Sequence, residues 1–261
     1  MNPLVRLLPV VVLVCAATIA AERARVVESV LPSLDYGPAC WSSVDVHNLG
    51  ERTVTVDLEA HRAGGALVPL TGHAQVTLQL APGERSSYRM EVAEESGSGW
   101  VKIREHIPEP QLSPVIAVTG ISECVTANQL RTTAREVVYP TRDPWFAGDV
   151  DELHGSLISM VNTTEQAVTA ALCYSSGNLY SKPGANQRTM EFAPICSSSM
   201  SVQIPPFGAR LFPVERDGSS YFAMKTHGQA IVLQMLSPME SGLKMYKVDS
   251  TIKFGAEVPQ K

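Results

Sequence analysis

Residues 44–58 and 158–172 follow one pattern of strand, polar turn and strand. At a shift of 114 residues, Asn48 falls on Asn162, Glu51 on Glu165, Val54 on Val168, Thr55 on Thr169 and Leu58 on Leu172. In the first copy Val44 and Val46 alternate with Asp45 and His47, and Val54, Val56 and Leu58 alternate with Thr55 and Asp57. A period of two is that of a half-buried β-strand with one wet face. The repeat predicts two copies of one β module, with the Asn48–Glu51 turn formed by Asn and Gly at positive φ.

Further pieces match in order. Residues 24–27 and 30–33, like 134–141, read as a short apolar strand stopped by proline. A loop bearing Trp41 or Trp145 follows each. The turn Ala81-Pro82-Gly83-Glu84-Arg85 corresponds to Pro205-Pro206-Phe207-Gly208-Ala209-Arg210, read with one residue added. Each module then holds about seven short strands, the count of an antiparallel sandwich. The expected fold is all-β: two tandem sandwiches over 22–126 and 134–240, a linker over 127–133 and a tail over 241–261. No window sustains a helical period; residues 126–137 come nearest.

Residues 1–21 have the layout of a secretory signal peptide: Arg6, an apolar run to Ile19, then Ala20 and Ala21. The run is short for a membrane span, and no later stretch is apolar enough to cross. Lipidation at Cys15, where Val14 replaces the usual small residue, and retention as an anchor are the alternatives. Export makes Cys40, Cys124, Cys173 and Cys196 a disulfide set. Three connectivities are open, and pairs within one repeat, Cys40–Cys124 and Cys173–Cys196, are favoured over the others and over free thiols. No Cys-x-x-Cys occurs to suggest zinc or redox chemistry.

Trp145, Val161-Asn162-Thr163-Thr164, Val168-Thr169 and Ile204-Pro205-Pro206-Phe207-Gly208 resemble the immunoglobulin-like β-sandwich repeats of exported bacterial proteins. Trp41, Asn48 and Leu80-Ala81-Pro82-Gly83 match less fully. The resemblance implies fold and export, and little about activity.

A formal charge of −5 and a pI near 5.7 disfavour nucleic acid, which needs clustered Lys and Arg. No nucleophile elbow or zinc-protease helix is present. The six histidines are scattered and read as surface residues. Asp149, Asp151, Glu152 and His154 form the densest ligand cluster, a weak calcium candidate without EF-hand spacing. Trp41, Trp145, Phe146, Tyr174 and Tyr180 are candidates for stacking on a sugar or anchoring a protein, against the simpler role of plugging the ends of the sandwiches. Asn162-Thr163-Thr164 fits a glycosylation acceptor in a eukaryotic secretory pathway. Residues 174–195, between two cysteines, are where the copies differ most. The expectation is a non-enzymatic protein without cofactor, secreted, periplasmic or at the cell surface, acting through protein contacts. A carbohydrate-binding module is the alternative, and an enzyme with a dispersed site a third reading.

Overall fold

The computed structural model describes residues 25–92, 95–107, 113–126, 129–142, 145–149, 157–175, 181–183, 190–192, 198–213, 221–226 and 230–236. Among them there is no helix, and every sheet is antiparallel. The signal segment, Cys196, Tyr180, Asp151, Glu152, His154 and the 241–261 tail lie outside the described residues.

Nine strands make the first half: β1 (Arg25–Tyr36), β2 (Cys40–Asn48), β3 (Val54–Arg62), β4 (Leu67–Val68), β5 (Gln75–Leu80), β6 (Arg85–Arg89), β7 (Gly97–Ile107), β8 (Ile116–Thr126) and β9 (Gln129–Glu136). One sheet runs β1-β7-β3, with β4 and β5 both on the far side of β3; the other runs β6-β2-β8-β9. One apolar core draws on both, including Leu31, Leu34, Val56, Leu58, Leu78 and Ile103 from the first sheet and Val44, Val46 and Val118 from the second. The alternation of β3 is as its sequence predicts, with Val54, Val56, Leu58 and Ala60 buried.

The second half contains β10 (Thr141–Arg142), β11 (Trp145–Asp149), β12 (Leu157–Val161), β13 (Val168–Ser175), β14 (Ser181–Pro183), β15 (Met190–Phe192), β16 (Ser198–Ile204), β17 (Ala209–Pro213), β18 (Tyr221–Thr226) and β19 (Ala230–Leu236). Its sheets run β10-β19-β12-β17 and β11-β18-β13-β16, with β14 paired to β15. Its core again draws on both sheets, through Ile158, Met160 and Ile231 on one side and Val168, Leu172, Ile204 and Met224 on the other. The central pairings match the first half: β2 lies between β6 and β8 as β12 lies between β17 and β19, and β3 between β5 and β7 as β13 between β16 and β18. In an immunoglobulin constant-type domain the first strand joins the sheet of the second and fifth, and the seventh joins that of the third and sixth. Here β1 pairs with β7, β8 with β2 and β5 with β3, so the strand order departs from that arrangement.

Several sequence expectations change. Pro32 does not stop β1; a register irregularity between Leu31 and Leu34 accommodates it, and the strand continues to Tyr36. Trp41 and Trp145 sit in β2 and β11 rather than in loops. The nearest helical candidate forms β9, hairpinned onto β8, and most of the stretch read as a linker lies in that strand. Gly50 is not at positive φ; the turn is shaped by the Asn48 side chain, whose Oδ1 accepts from Gly50 N at 2.8 Å. The proline turns have equal lengths. Asn48 N donates to Glu84 O as Asn162 N donates to Gly208 O, so Phe207 takes the place of Gly83.

Candidate functional site

The alternation of β3 puts Thr55, Asp57, Glu59 and His61 on the outer face of its sheet. Facing them in register on β7 are His106, Arg104, Lys102 and Trp100. This face carries a ladder of charge pairs. His106 Nε2 is 2.7 Å from Asp57, whose other oxygen accepts from Thr77 Oγ1 at 2.7 Å. Arg104 lies 3.8 Å from Glu59, and Lys102 3.0 Å from Glu28 of β1. Burial alone would raise the Asp57 carboxyl, but the hydrogen bonds from His106 and Thr77, with the charges of His106 and Arg104, together hold the group below its ordinary range.

At one end the ladder stops being wet. His61 is 2% exposed and Trp100 is fully buried, on the face that the sequence pattern assigns to solvent. The turn Ile204–Gly208 of the second half covers them. The His61 ring lies 4.6 Å from Trp100 at 14° and 5.2 Å from Phe207 at 11°, stacked between the two. Trp100 Nε1 donates to Phe207 O at 3.0 Å, Lys102 Nζ donates to Thr163 O at 3.2 Å, and Ala209 N donates to Ala63 O at 2.8 Å. Lys102 Nζ also sits 5.6 Å from the centre of the Phe207 ring. Gly65, at φ +94°, permits this approach, since a Cβ there would collide with the Pro206 carbonyl oxygen.

A second contact lies on β1. Val30 and Val138 exchange two backbone hydrogen bonds of 2.8 Å, and Ser33 Oγ donates to Ser159 Oγ at 2.9 Å within the buried region. Val30, Trp100, Val161 and Val232 form one buried apolar cluster. Ser33 and Phe207, at φ +57° and +50°, are two of the three non-glycine residues at positive φ among those described. A left-handed conformation costs a bulky L-residue about 1–2 kcal/mol. Both strained residues are used to touch the opposite half. The junction is therefore specific: rings, backbone and two strained positions hold one copy against the other.

The predicted site residues are distributed otherwise. Cys40 and Cys124 are bonded across directly paired positions of β2 and β8. Beside them, Trp41 Nε1 donates to Glu123. Cys173 pairs in the ladder with Ser199; its proposed partner Cys196 is outside the described residues. Trp145 and Phe146 stand opposite Lys225 and Met224, and Tyr174 opposite Ser198 and Phe222. Asp149 ends β11 opposite Tyr221. Among the described residues no three His, Cys, Asp or Glu groups gather as a metal site. Asn162 is fully buried with its amide engaged, so it is a structural residue and not an accessible glycosylation acceptor. The reading of all histidines as surface residues fails at His61. Comparison with protein-family models, with curated proteins and with solved structures gave no match.

Proposed function

We propose that this chain is an exported, non-enzymatic protein of two immunoglobulin-like sandwiches, with the strand order altered, that works by holding protein-binding surfaces at a fixed relation. The supporting observation is the His61–Trp100–Phe207 stack and the backbone bonds around it. Two modules on a loose tether need no such contact, because each could meet its ligand alone. A fixed angle and spacing matter to an assembly or to a partner that spans both copies. The Cys40–Cys124 bridge fits an oxidising compartment, and the signal-like segment at 1–21 fits export. The partner class is protein, in the periplasm or at the cell surface.

The test is to express the whole chain with its leader in its native host, fractionate the cells and cross-link before purification. The expected result is recovery outside the cytoplasm in a stoichiometric cross-linked complex with a protein. Recovery in the cytoplasm, or outside it as an uncross-linked monomer that binds an immobilised glycan, would contradict the proposal.

A further inference from the structure

We infer that His61 is a proton-dependent latch between the halves: the junction closes around a doubly protonated imidazole and loosens when that ring loses a proton. The inference follows from hydrogen-bond valence. His61 Nδ1 faces the Gly65 carbonyl oxygen at 3.1 Å, and Nε2 faces Glu59 Oε1 at 2.7 Å. A carbonyl oxygen only accepts, and so does a carboxylate. A neutral imidazole has one N–H and one lone pair, so one of the two contacts would set lone pair against lone pair. Both are satisfied when each ring nitrogen donates.

The surroundings suit that cation. Glu59 faces the ring with one carboxylate oxygen, and Arg104 lies 3.8 Å from the other. The ring lies face to face with Trp100 and Phe207, whose π-faces favour a cation between them. Of the other charged groups around it, Lys102 of β7 and Glu28 of β1 pair with each other at 3.0 Å, Arg62 pairs with Glu95, and Asp57 pairs with His106 farther along the face. The turn Ile204–Gly208 brings no titratable side chain.

Loss of one proton leaves the remaining N–H on Nε2, against the carboxylate, and turns the 3.1 Å contact of Nδ1 with the Gly65 carbonyl from attraction to repulsion. The Gly65 loop or the ring must then move, and the Phe207 turn rests on both. The coupling is reciprocal: whatever holds the Phe207 turn in place also holds the proton.

The test is a pH series on the whole protein. Ring ¹⁵N–¹H correlation spectra count the N–H groups of His61, and hydrogen exchange, corrected for intrinsic rate, reports protection of the Ala209 amide. Both N–H groups are expected wherever Ala209 is protected. As one is lost, protection should fall about tenfold, the equivalent of roughly one charge-assisted hydrogen bond. In Glu59→Gln the amide can donate to an unprotonated Nε2, so Ala209 should stay protected with no pH step. Three results would overturn the latch: a single N–H with Ala209 still protected, a titration that leaves protection unchanged, or a proton retained up to the alkaline limit of the fold.

Discussion

Asn48 and Asn162 perform one task at the same place in the two copies. Each is fully buried. The Nδ2 group of Asn48 donates to the carbonyls of Arg52, Leu80 and Ala81 at 2.8, 2.9 and 3.1 Å. That of Asn162 donates to Gln166, Ile204 and Pro205 at 2.7, 3.5 and 2.9 Å. In both, Oδ1 accepts from the backbone two residues on. One side chain thus ties the strand-turn-strand to the proline turn that follows it.

Replacing either asparagine should therefore cost the same. Asn48→Ala and Asn162→Ala are each expected to lose about 3 kcal/mol, because several buried backbone groups are left unpaired. Asn→Asp at either position should be no milder, since a carboxylate oxygen would face carbonyls where the amide donates. Urea unfolding of the single variants measures both values, and a near-zero cost at one position would break the equivalence.

Phe207 presents a competition between packing and backbone strain. Phe207→Ala removes the ring from His61 and keeps a side chain at φ +50°; a loss of about 3 kcal/mol is expected. Phe207→Gly removes the same ring and relieves the strain, so it should be about 1 kcal/mol less damaging than alanine. The reverse order in denaturant midpoints would show that the left-handed backbone is not strained.

Glu105 carries a carboxyl on the core face of β7, 2% exposed, accepting from Val115 N at 2.8 Å. Burial pushes its pKa above the ordinary range, and the backbone donors Val115 and Ile116 only partly offset it. A carboxyl raised in the folded state binds its proton more tightly there than in the unfolded chain. Its ionisation therefore lowers stability as pH rises from the ordinary carboxyl value through the folded one. Glu105→Gln keeps an acceptor for Val115 and should stabilise at neutral pH, with the gain vanishing in acid. Thermal melts across that range check the sign.

The Cys40–Cys124 bridge closes a loop of 84 residues in separation. On the chain-entropy model it stabilises by about 4.5 kcal/mol. The double Cys→Ala variant, or reduction of the native protein, should lower the unfolding free energy by roughly that amount. A change under about 1 kcal/mol would indicate a denatured state already compact around this pair.

The repeat, the strand alternation and the Cys40–Cys124 pair were legible because each is a local or spacing property of the residues. The 114-residue offset found Asn48 and Asn162, although only the structure shows what they bind. The junction was not legible. His61 falls on the wet phase of β3, and nothing in its own strand says that a turn from the second half covers it. Trp100 falls on the same face of β7 and is hidden for the same reason. One signal did exist: with equal turn lengths, a phenylalanine stands where the other copy has a left-handed glycine. Aligning Gly83 with Gly208 concealed it. Ahead of Trp41, a register irregularity carries β1 past Pro32 to Tyr36, so the strand boundary moves.

The stack of His61, Trp100 and Phe207 should make the two copies one mechanical unit. Equilibrium unfolding in urea, followed by one probe placed in the first half and another placed in the second, tests this. One coincident transition is expected in the native protein, separating into two when Phe207 is replaced by alanine. Two transitions in the native protein, with midpoints that the Phe207 substitution leaves unchanged, would contradict it.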